Sequence, residues 1–173
     1  MKKKDFIIPF VGLKEGKHQF NYEIDNKFFE VYPYEDILGA DVKVDLNFVK
    51  KSTLFELEFK AKGELTVACD LTNELFQQPI KGALNLVVKF GDEFNDENEE
   101  ILIIPHESYE LDVAQYIYEM IVLALPSKRI HPGVKDGTLK SDILDKLKEL
   151  QPKEKPNNES SDPRWDKLKG LLN

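Results

Sequence analysis

The sequence has little cysteine and no excess of positive charge, and each shortage excludes a class of protein. Cys69 is the single cysteine, which excludes an intramolecular disulfide and a metal cluster held by cysteines alone. There are 24 Lys and Arg against 32 Asp and Glu, giving a net charge of -8. Proteins that coat nucleic acid through bulk charge are basic, so a contact with nucleic acid would need a local basic patch.

Long apolar runs are also missing. No stretch approaches the length of a membrane span. The opening MKKKDFIIPFVGL resembles the start of a signal peptide, but Asp5 and Pro9 interrupt it and no small-residue cleavage site follows. The sequence therefore predicts a cytoplasmic protein that does not act at a membrane.

Motifs of catalysis are absent as well. The sequence has no GxSxG elbow, no glycine-rich phosphate loop and no HExxH. His18, His106 and His131 lie in unrelated contexts without ligand spacing. Cys69 beside a histidine could form a nucleophilic pair, but its strand parity points inward, where cysteine is usually an inert small hydrophobe. We predict no enzymatic activity, no small-molecule substrate, no cofactor and no metal.

Alternation of apolar and polar residues fills the first two thirds of the chain and predicts β-strands. Residues 42–48 alternate, and residues 55–69 keep one parity through Gly63, which predicts a long strand bent or bulged at the glycine. A further run covers 80–90. Short polar connections favour antiparallel hairpins. The earlier segments IIPF and HQFNYEI predict additional strands.

Two segments have helical character. Residues 26–38 indicate a short helix or irregular crossing broken near Pro33. Asp112 and Gln115 predict a capping box, followed by an apolar stripe and then by Pro126, which ends the helix. The predicted fold is α+β: an antiparallel β-rich body, either a meander or a partly open barrel, covered by one main helix and followed by a helical C-terminal tail.

An acidic block occupies residues 92–100, with six carboxylates and no Lys or Arg. Such a block could bind Ca²⁺ or mimic RNA. It lacks the glycine and the terminal glutamate of an EF-hand loop at the required spacing, so a solvated loop is the favoured interpretation. The following ILII predicts a buried strand.

The character of the chain changes after Leu125, and we predict two parts, residues 1–125 and 126–173. The basic segment, residues 126–140, carries four cationic side chains against one acid, Asp136. Cations of this kind can hold an RNA backbone; the residues alone favour a solvated basic loop. His131 could contact phosphate when protonated, or be a solvated loop histidine.

Beyond the basic segment, an amphipathic helix is predicted after Ser141, then the linker-like QPKEKPNNESS, then the helical SDPRWDKLKGLLN. In the last segment Asp162 is the predicted N-cap and Pro163 the first helical residue. Trp165, Leu168 and Leu171 share one face. A helix of about ten residues is marginal alone in water, so this face must rest either on the protein's own sheet or on a partner. The linker favours the partner.

Three stretches together resemble a known family: GELTVACDLTNELF, LDVAQYIYEMIVLALPSKRIHP and DPRWDKLKGLL. In this order and spacing they are similar to the YceD-like family, the large ribosomal RNA subunit accumulation protein. The resemblance covers roughly residues 40–173. The residues that match the family pattern lie on the helix, at its end and in the tail: Asp112, Glu119, Leu125, Pro126, His131, Asp162, Pro163 and Arg164.

The resemblance implies a β-rich cytoplasmic protein without enzymatic activity, needed for accumulation and processing of large-subunit ribosomal RNA. It suggests a second role in handling a zinc-ribbon ribosomal protein. Many relatives carry a CxxC pair, but here Cys69 is followed by Thr72 where the second cysteine would stand, and RIHPGVKDG replaces further cysteines. A metal site therefore does not carry over.

We accordingly predict a non-catalytic ribosome-assembly factor whose partner is large-subunit ribosomal RNA or its precursor. The predicted RNA-binding residues are Lys128, Arg129, His131 and Lys135. The predicted partner-binding residues of the tail are Asp162, Pro163, Arg164, Trp165, Leu168 and Leu171. The alternative is a chaperone or adaptor that binds a basic ribosomal protein, which the net charge of -8 favours.

Overall fold

The structure is a computed structural model that describes residues 3–150. The chain divides into two compact units, Met1–Leu139 and Lys140–Asn173. The first unit holds all the described strands. The predicted division after Leu125 stays a prediction, and residues 126–139 of the basic segment belong to the first unit.

The described elements are two 3-10 helices, eight β-strands and four α-helices. Two short 3-10 helices, Lys3–Phe6 and Phe10–Gly12, lie near the start. The strands are β1 Ile7–Ile8, β2 Gly16–Ile24, β3 Gly39–Lys50, β4 Leu54–Ala68, β5 Leu75–Gly91, β6 Asn95–Asn98, β7 Ile101–Pro105 and β8 Leu111–Asp112. The α-helices are α1 Asn26–Val31, α2 Ala114–Ala124, α3 Pro132–Lys135 and α4 Asp142–Leu150.

Six strands form one sheet in the order β2-β3-β4-β5-β7-β6, and β1 pairs with β8 in a separate two-stranded sheet. β2 to β5 form an antiparallel meander, as the hairpin connections predict. The prediction of a wholly antiparallel sheet is wrong at β7, which runs parallel to β5. The sheet is thus mixed, and it is open rather than closed into a barrel.

Polarity explains the strand order at this end of the sheet. β7 buries Leu102 and Ile104, whereas the residues of β6 are almost all exposed. After β5 the chain therefore first forms the acidic edge strand β6. It then returns and places the apolar β7 between β5 and β6. Charged residues suit a sheet edge because they discourage pairing with other chains. The interpretation of residues 92–100 as a solvated loop is wrong for Asn95–Asn98, which forms an exposed strand.

β4 is one continuous strand, as its parity predicts, but it carries no bulge. It pairs residue for residue with β3 and β5 along its whole length, including at Gly63. A Cβ atom at Gly63 would lie 2.2 Å from the carbonyl oxygen of Asp41 and 2.6 Å from Cα of Val42. The glycine therefore serves the close approach of β3 and not a break in the ladder.

Aromatic rings fill much of the core on the inward face of the sheet. The rings of Phe10 and Phe55 lie 4.8 Å apart, and those of Phe48 and Phe55 lie 5.1 Å apart. Phe6 packs edge-on against Phe28 at 5.2 Å. The segment before β2 thus contributes to the core, and of the strand predicted from IIPF only Ile7–Ile8 forms.

The long helix α2 forms where its apolar period predicts and ends at Ala124, before Pro126. Its buried side Ile117, Met120 and Ile121 faces the core. The predicted capping box is wrong. Val113 is the N-cap, the backbone N–H of Ala114 donates to Asp112 Oδ1 at 2.9 Å, and Gln115 Nε2 donates to Glu119 Oε1 at 2.6 Å. Asp112 is already part of β8, so the helix starts one residue later.

The shorter helices α1 and α4 also form where the sequence predicts helices. Asp25 caps α1 by accepting a hydrogen bond from the N–H of Lys27 at 3.0 Å. In the second unit, α4 begins after Ser141 as predicted, and the Ser141 carbonyl accepts from the N–H of Leu144 at 2.9 Å. No described helix has the length and apolar character of a membrane span. The linker and the predicted helix of residues 161–173 lie outside the described residues.

Candidate functional site

The basic segment is fixed to the turn between β4 and β5. The backbone N–H of Arg129 donates to Asp70 Oδ2 at 2.7 Å, and the N–H of Asp70 donates to the carbonyl of Arg129 at 2.9 Å. The N–H of His131 donates to Cys69 Sγ at 3.3 Å. These bonds join positions about 60 residues apart in sequence, so this part of the segment has a defined path over the body.

The Arg129 side chain is engaged within the protein. One terminal nitrogen lies 2.9 Å from Asp36 Oδ2 and the other lies 3.3 Å from Asp70 Oδ1, and the side chain is only 18% exposed. Two carboxylates thus neutralise its charge. An RNA phosphate would have to compete with both of them, so Arg129 is above all an anchor of the segment.

His131 is half-buried and acts as the N-cap of α3. Its Nδ1 accepts a hydrogen bond from the N–H of Gly133 at 2.9 Å, so this ring nitrogen is used within the protein. The imidazole packs edge-on against Phe76, with ring centroids 5.5 Å apart. The side chain therefore shapes the turn into α3 and leaves its other nitrogen, Nε2, as the atom available to a ligand.

Lys128 and Lys135 carry the free positive charge of residues 126–139. Both are exposed. Among residues 3–150, no carboxylate lies within ion-pair distance of either ammonium group. The four predicted RNA-binding residues thus divide into two that are held by the body and two that point their charge at solvent.

The turn beneath the segment contains Cys69 and Thr72, the two positions that were compared above with a CxxC pair. Thr72 is buried, and its hydroxyl accepts from the N–H of Glu74 at 3.4 Å. Burial raises the pKa of the Cys69 thiol, but hydrogen bonds from the His131 and Leu71 backbones and from Thr72 outweigh it, so the pKa is lowered overall. Hydrogen-bond donors thus surround the sulfur. Within residues 3–150, no group of three His, Cys, Asp or Glu side chains is placed to hold a metal ion.

We expect the purified protein to hold no stoichiometric zinc or iron. The turn offers one thiolate, and the Nδ1 of the neighbouring His131 is used by Gly133, whereas a structural zinc site needs four ligands. Elemental analysis after dialysis checks this expectation. A content of about one metal ion per chain, the stoichiometry of a structural site, would contradict it.

Asp70 is the acceptor on which the anchoring of the segment depends most. Changing Asp70 to Ala removes a hydrogen bond and an ion pair to Arg129, worth on the order of 1–3 kcal/mol in a partly exposed site. We expect amide exchange of residues 127–133 to accelerate roughly ten- to a hundredfold, while the strands keep their protection. The matched control is Asp41→Ala, because the Asp41 side chain is exposed and has no ion pair among the described residues. Equal exchange in the two variants would show that Asp70 does not hold the segment.

The sequence did not predict that Asp36 and Asp70 contact the basic segment. Asp70 stands beside Cys69 in a stretch that carries the family resemblance, yet nothing local links it to Arg129. Of the other residues matched to the family, Glu119 accepts from Gln115, and Leu125 and Pro126 end α2. Asp162, Pro163, Arg164, Trp165, Leu168 and Leu171 lie outside the described residues.

The family model described as large ribosomal RNA subunit accumulation protein YceD matches residues 57–172, about two thirds of the chain. The matched range includes the β4–β5 turn, α2 and the whole basic segment. No curated protein matches the chain, and no solved structure matches it.

Proposed function

Because the chain belongs to the YceD family of large ribosomal RNA subunit accumulation proteins, we propose that it is a non-catalytic ribosome-assembly factor in the cytoplasm. It promotes accumulation and processing of large-subunit ribosomal RNA. It contacts this RNA or its precursor through the basic segment. Lys128 and Lys135 meet phosphates, while Arg129 and His131 hold the segment in its path.

The main support for the proposal is that the basic segment is fixed to the β4–β5 turn of a protein whose net charge is -8. A segment ordered before binding loses little conformational freedom when it meets RNA. Its two free lysines release counterions from the RNA backbone, each contributing about 0.7 to the salt dependence on single strands. Two such contacts give a weak, sequence-independent attachment. Specificity for the large subunit must then come from other contacts, of which the tail is our candidate.

Crosslinking tests the RNA contact directly. The tagged protein is crosslinked in cells, and the bound RNA is sequenced while bound proteins are identified by mass spectrometry. We expect enrichment of large-subunit ribosomal RNA and crosslinked peptides that contain Lys128 or Lys135. Recovery of ribosomal proteins without enrichment of this RNA would contradict the proposed contact.

A second candidate function is binding of a basic ribosomal protein before its assembly, as a chaperone or adaptor. The exposed carboxylates of residues 92–100 and the net charge of -8 favour it, because an acidic surface attracts and steers a basic partner. The same crosslinking experiment separates the two candidates, since it records RNA and protein partners side by side.

We propose that the C-terminal residues Asp162–Arg164, Trp165, Leu168 and Leu171 bind a partner on the large-subunit precursor. Deleting residues 157–173 should then leave the melting temperature within a few degrees and reduce co-sedimentation with these precursors. Burial of each of the three apolar side chains contributes on the order of 1.5–3 kcal/mol, enough to hold the tail on a partner. In the full chain, Trp165→Ala should weaken co-sedimentation in the same direction. A sharp loss of thermal stability on deletion would instead make the tail part of the fold.

A further inference from the structure

A groove of about 620 Å³ lies between α2 and strands β5, β6 and β7, and none of its lining residues belongs to the basic segment. Its apolar lining comes from both sides, with Leu84 and Leu102 on the strands and Met120 and Leu123 on the helix. Leu123 is 84% exposed, an unusual position for a leucine on the helix that supplies the core. An apolar surface of this kind suits the insertion of a side chain from a partner.

The rim of the groove is acidic. Asp96, Glu99 and Glu119 stand on it against one cation, Lys81. Within residues 3–150, no cation lies within ion-pair distance of these three carboxylates. Burial, and after it the charges of Asp96, Glu119 and Asp112, together raise the pKa of Tyr116, which lines the groove, to about 12. The carboxylates Asp96 and Glu119 thus act on a side chain that lines the groove.

The groove also borders an open strand edge. β7 pairs with β5 only from Val87 to Gly91, so the stretch Leu75–Leu86 pairs on one side alone, with β4, among the described strands. Lys81, Gly82, Ala83 and Leu84 of this stretch line the groove. Unpaired backbone groups at a sheet edge can accept an added strand from an extended peptide. The groove therefore offers backbone bonds as well as an apolar seat.

We propose that this groove binds an extended, cationic segment of another protein. One apolar side chain of that segment enters between Leu84, Met120 and Leu123, and its lysines or arginines face Asp96, Glu99 and Glu119. The chemistry selects a protein over a nucleic acid, because the rim carboxylates repel phosphate. The proposal rests on the second candidate function and deepens it by naming the surface and the chemistry of the partner.

Binding of a model peptide to the full-length chain tests the groove. The probe is a fluorescein-labelled peptide of alternating lysine and leucine, and its counterpart has glutamate in place of lysine. We expect the lysine peptide to bind and the glutamate peptide not to bind. Glu99→Lys with Glu119→Lys should weaken binding about tenfold or more, since reversed rim charges repel the probe. Leu123→Ser should weaken it by a similar factor through loss of the apolar contact.

The matched control is Glu15→Lys with Glu30→Lys, which changes the net charge equally at exposed positions that do not line the groove. Its affinity for the lysine peptide should stay within about twofold of the unaltered chain. Equal weakening in control and groove variants, or no effect of Leu123→Ser, would overturn the proposal. So would a concentration-dependent dimer that Leu123→Ser abolishes, because a second copy would then be the occupant. Failure here leaves the RNA contact of Lys128 and Lys135 standing, since neither residue lines the groove.

Discussion

Changing Lys128 and Lys135 together to glutamate is expected to weaken association with large-subunit ribosomal RNA and to flatten its salt dependence. At about 0.7 per phosphate contact on single strands, the loss of two contacts should lower the slope of log affinity against log salt by about 1.4. The added negative charges weaken binding further at low salt. The reduction should be nearly the same for RNA fragments of different sequence, as expected of backbone contacts. Fluorescence anisotropy over a salt series measures both quantities.

The matched control for this variant is Lys17→Glu with Lys27→Glu. Both lysines are exposed, and neither belongs to the basic segment. The two double variants have the same net charge, so any difference between them reports on position. Identical salt slopes would show that RNA meets the protein elsewhere.

Arg129 is left unchanged in this test for a structural reason. Glutamate at position 129 would stand beside Asp36 and Asp70, the two carboxylates that now pair with the guanidinium. Repulsion among three carboxylates would release the segment from the β4–β5 turn. A triple change at 128, 129 and 135 would therefore mix loss of RNA contact with loss of local structure.

Changing Gly63 to Ala is expected to destabilise the fold more than any other single substitution discussed above. The added Cβ would meet backbone atoms of Asp41 and Val42, 2.2 Å and 2.6 Å away, and backbone inside a sheet yields less than a side chain does. Overpacking costs typically about 1–3 kcal/mol and occasionally more; we expect at least the upper end. At about 2–4 °C per kcal/mol for a chain of this size, the melting temperature should fall by roughly 6–12 °C.

Gly12→Ala is the control for this substitution, because a Cβ at Gly12 meets nothing within 4 Å. Its melting temperature should stay close to that of the unaltered chain. Calorimetry or circular dichroism of the two variants checks both expectations. Equal melting temperatures would mean that β3 does not approach Gly63 as closely as the structure places it.

β3, β4 and β5 were predictable because each has one face in the core. Alternation gave the inward residues of β3, β4 and β5 and the continuity of β4 through Gly63. The parallel pairing of β7 was not predictable from alternation, since the period of a strand is the same in both directions. The direction of β7 depends on which of the strands β6 and β7 lies at the sheet edge. In this sheet the acidic β6 is the edge strand.

The site was predictable only in its charges. Lys128 and Lys135 are exposed, as expected of charged residues, whereas Arg129 in the same segment is mostly buried. The pairing of Arg129 with Asp70 joins residues 59 positions apart, and no local pattern signals it. The groove beside Leu123 likewise needs β5, β7 and α2 in place before its apolar lining meets its acidic rim. Contacts between residues so far apart in sequence form only when the whole domain has folded.

The most direct test of the proposed function is the ratio of mature large-subunit to small-subunit ribosomal RNA in cells depleted of this protein. The depleted cells are supplied with the unaltered chain, with Lys128→Glu/Lys135→Glu, or with Lys17→Glu/Lys27→Glu at equal protein levels. We expect a low ratio in depleted cells, full restoration by the unaltered chain and the control, and little restoration by Lys128→Glu/Lys135→Glu. A normal ratio in depleted cells, or full restoration by that variant, would contradict it.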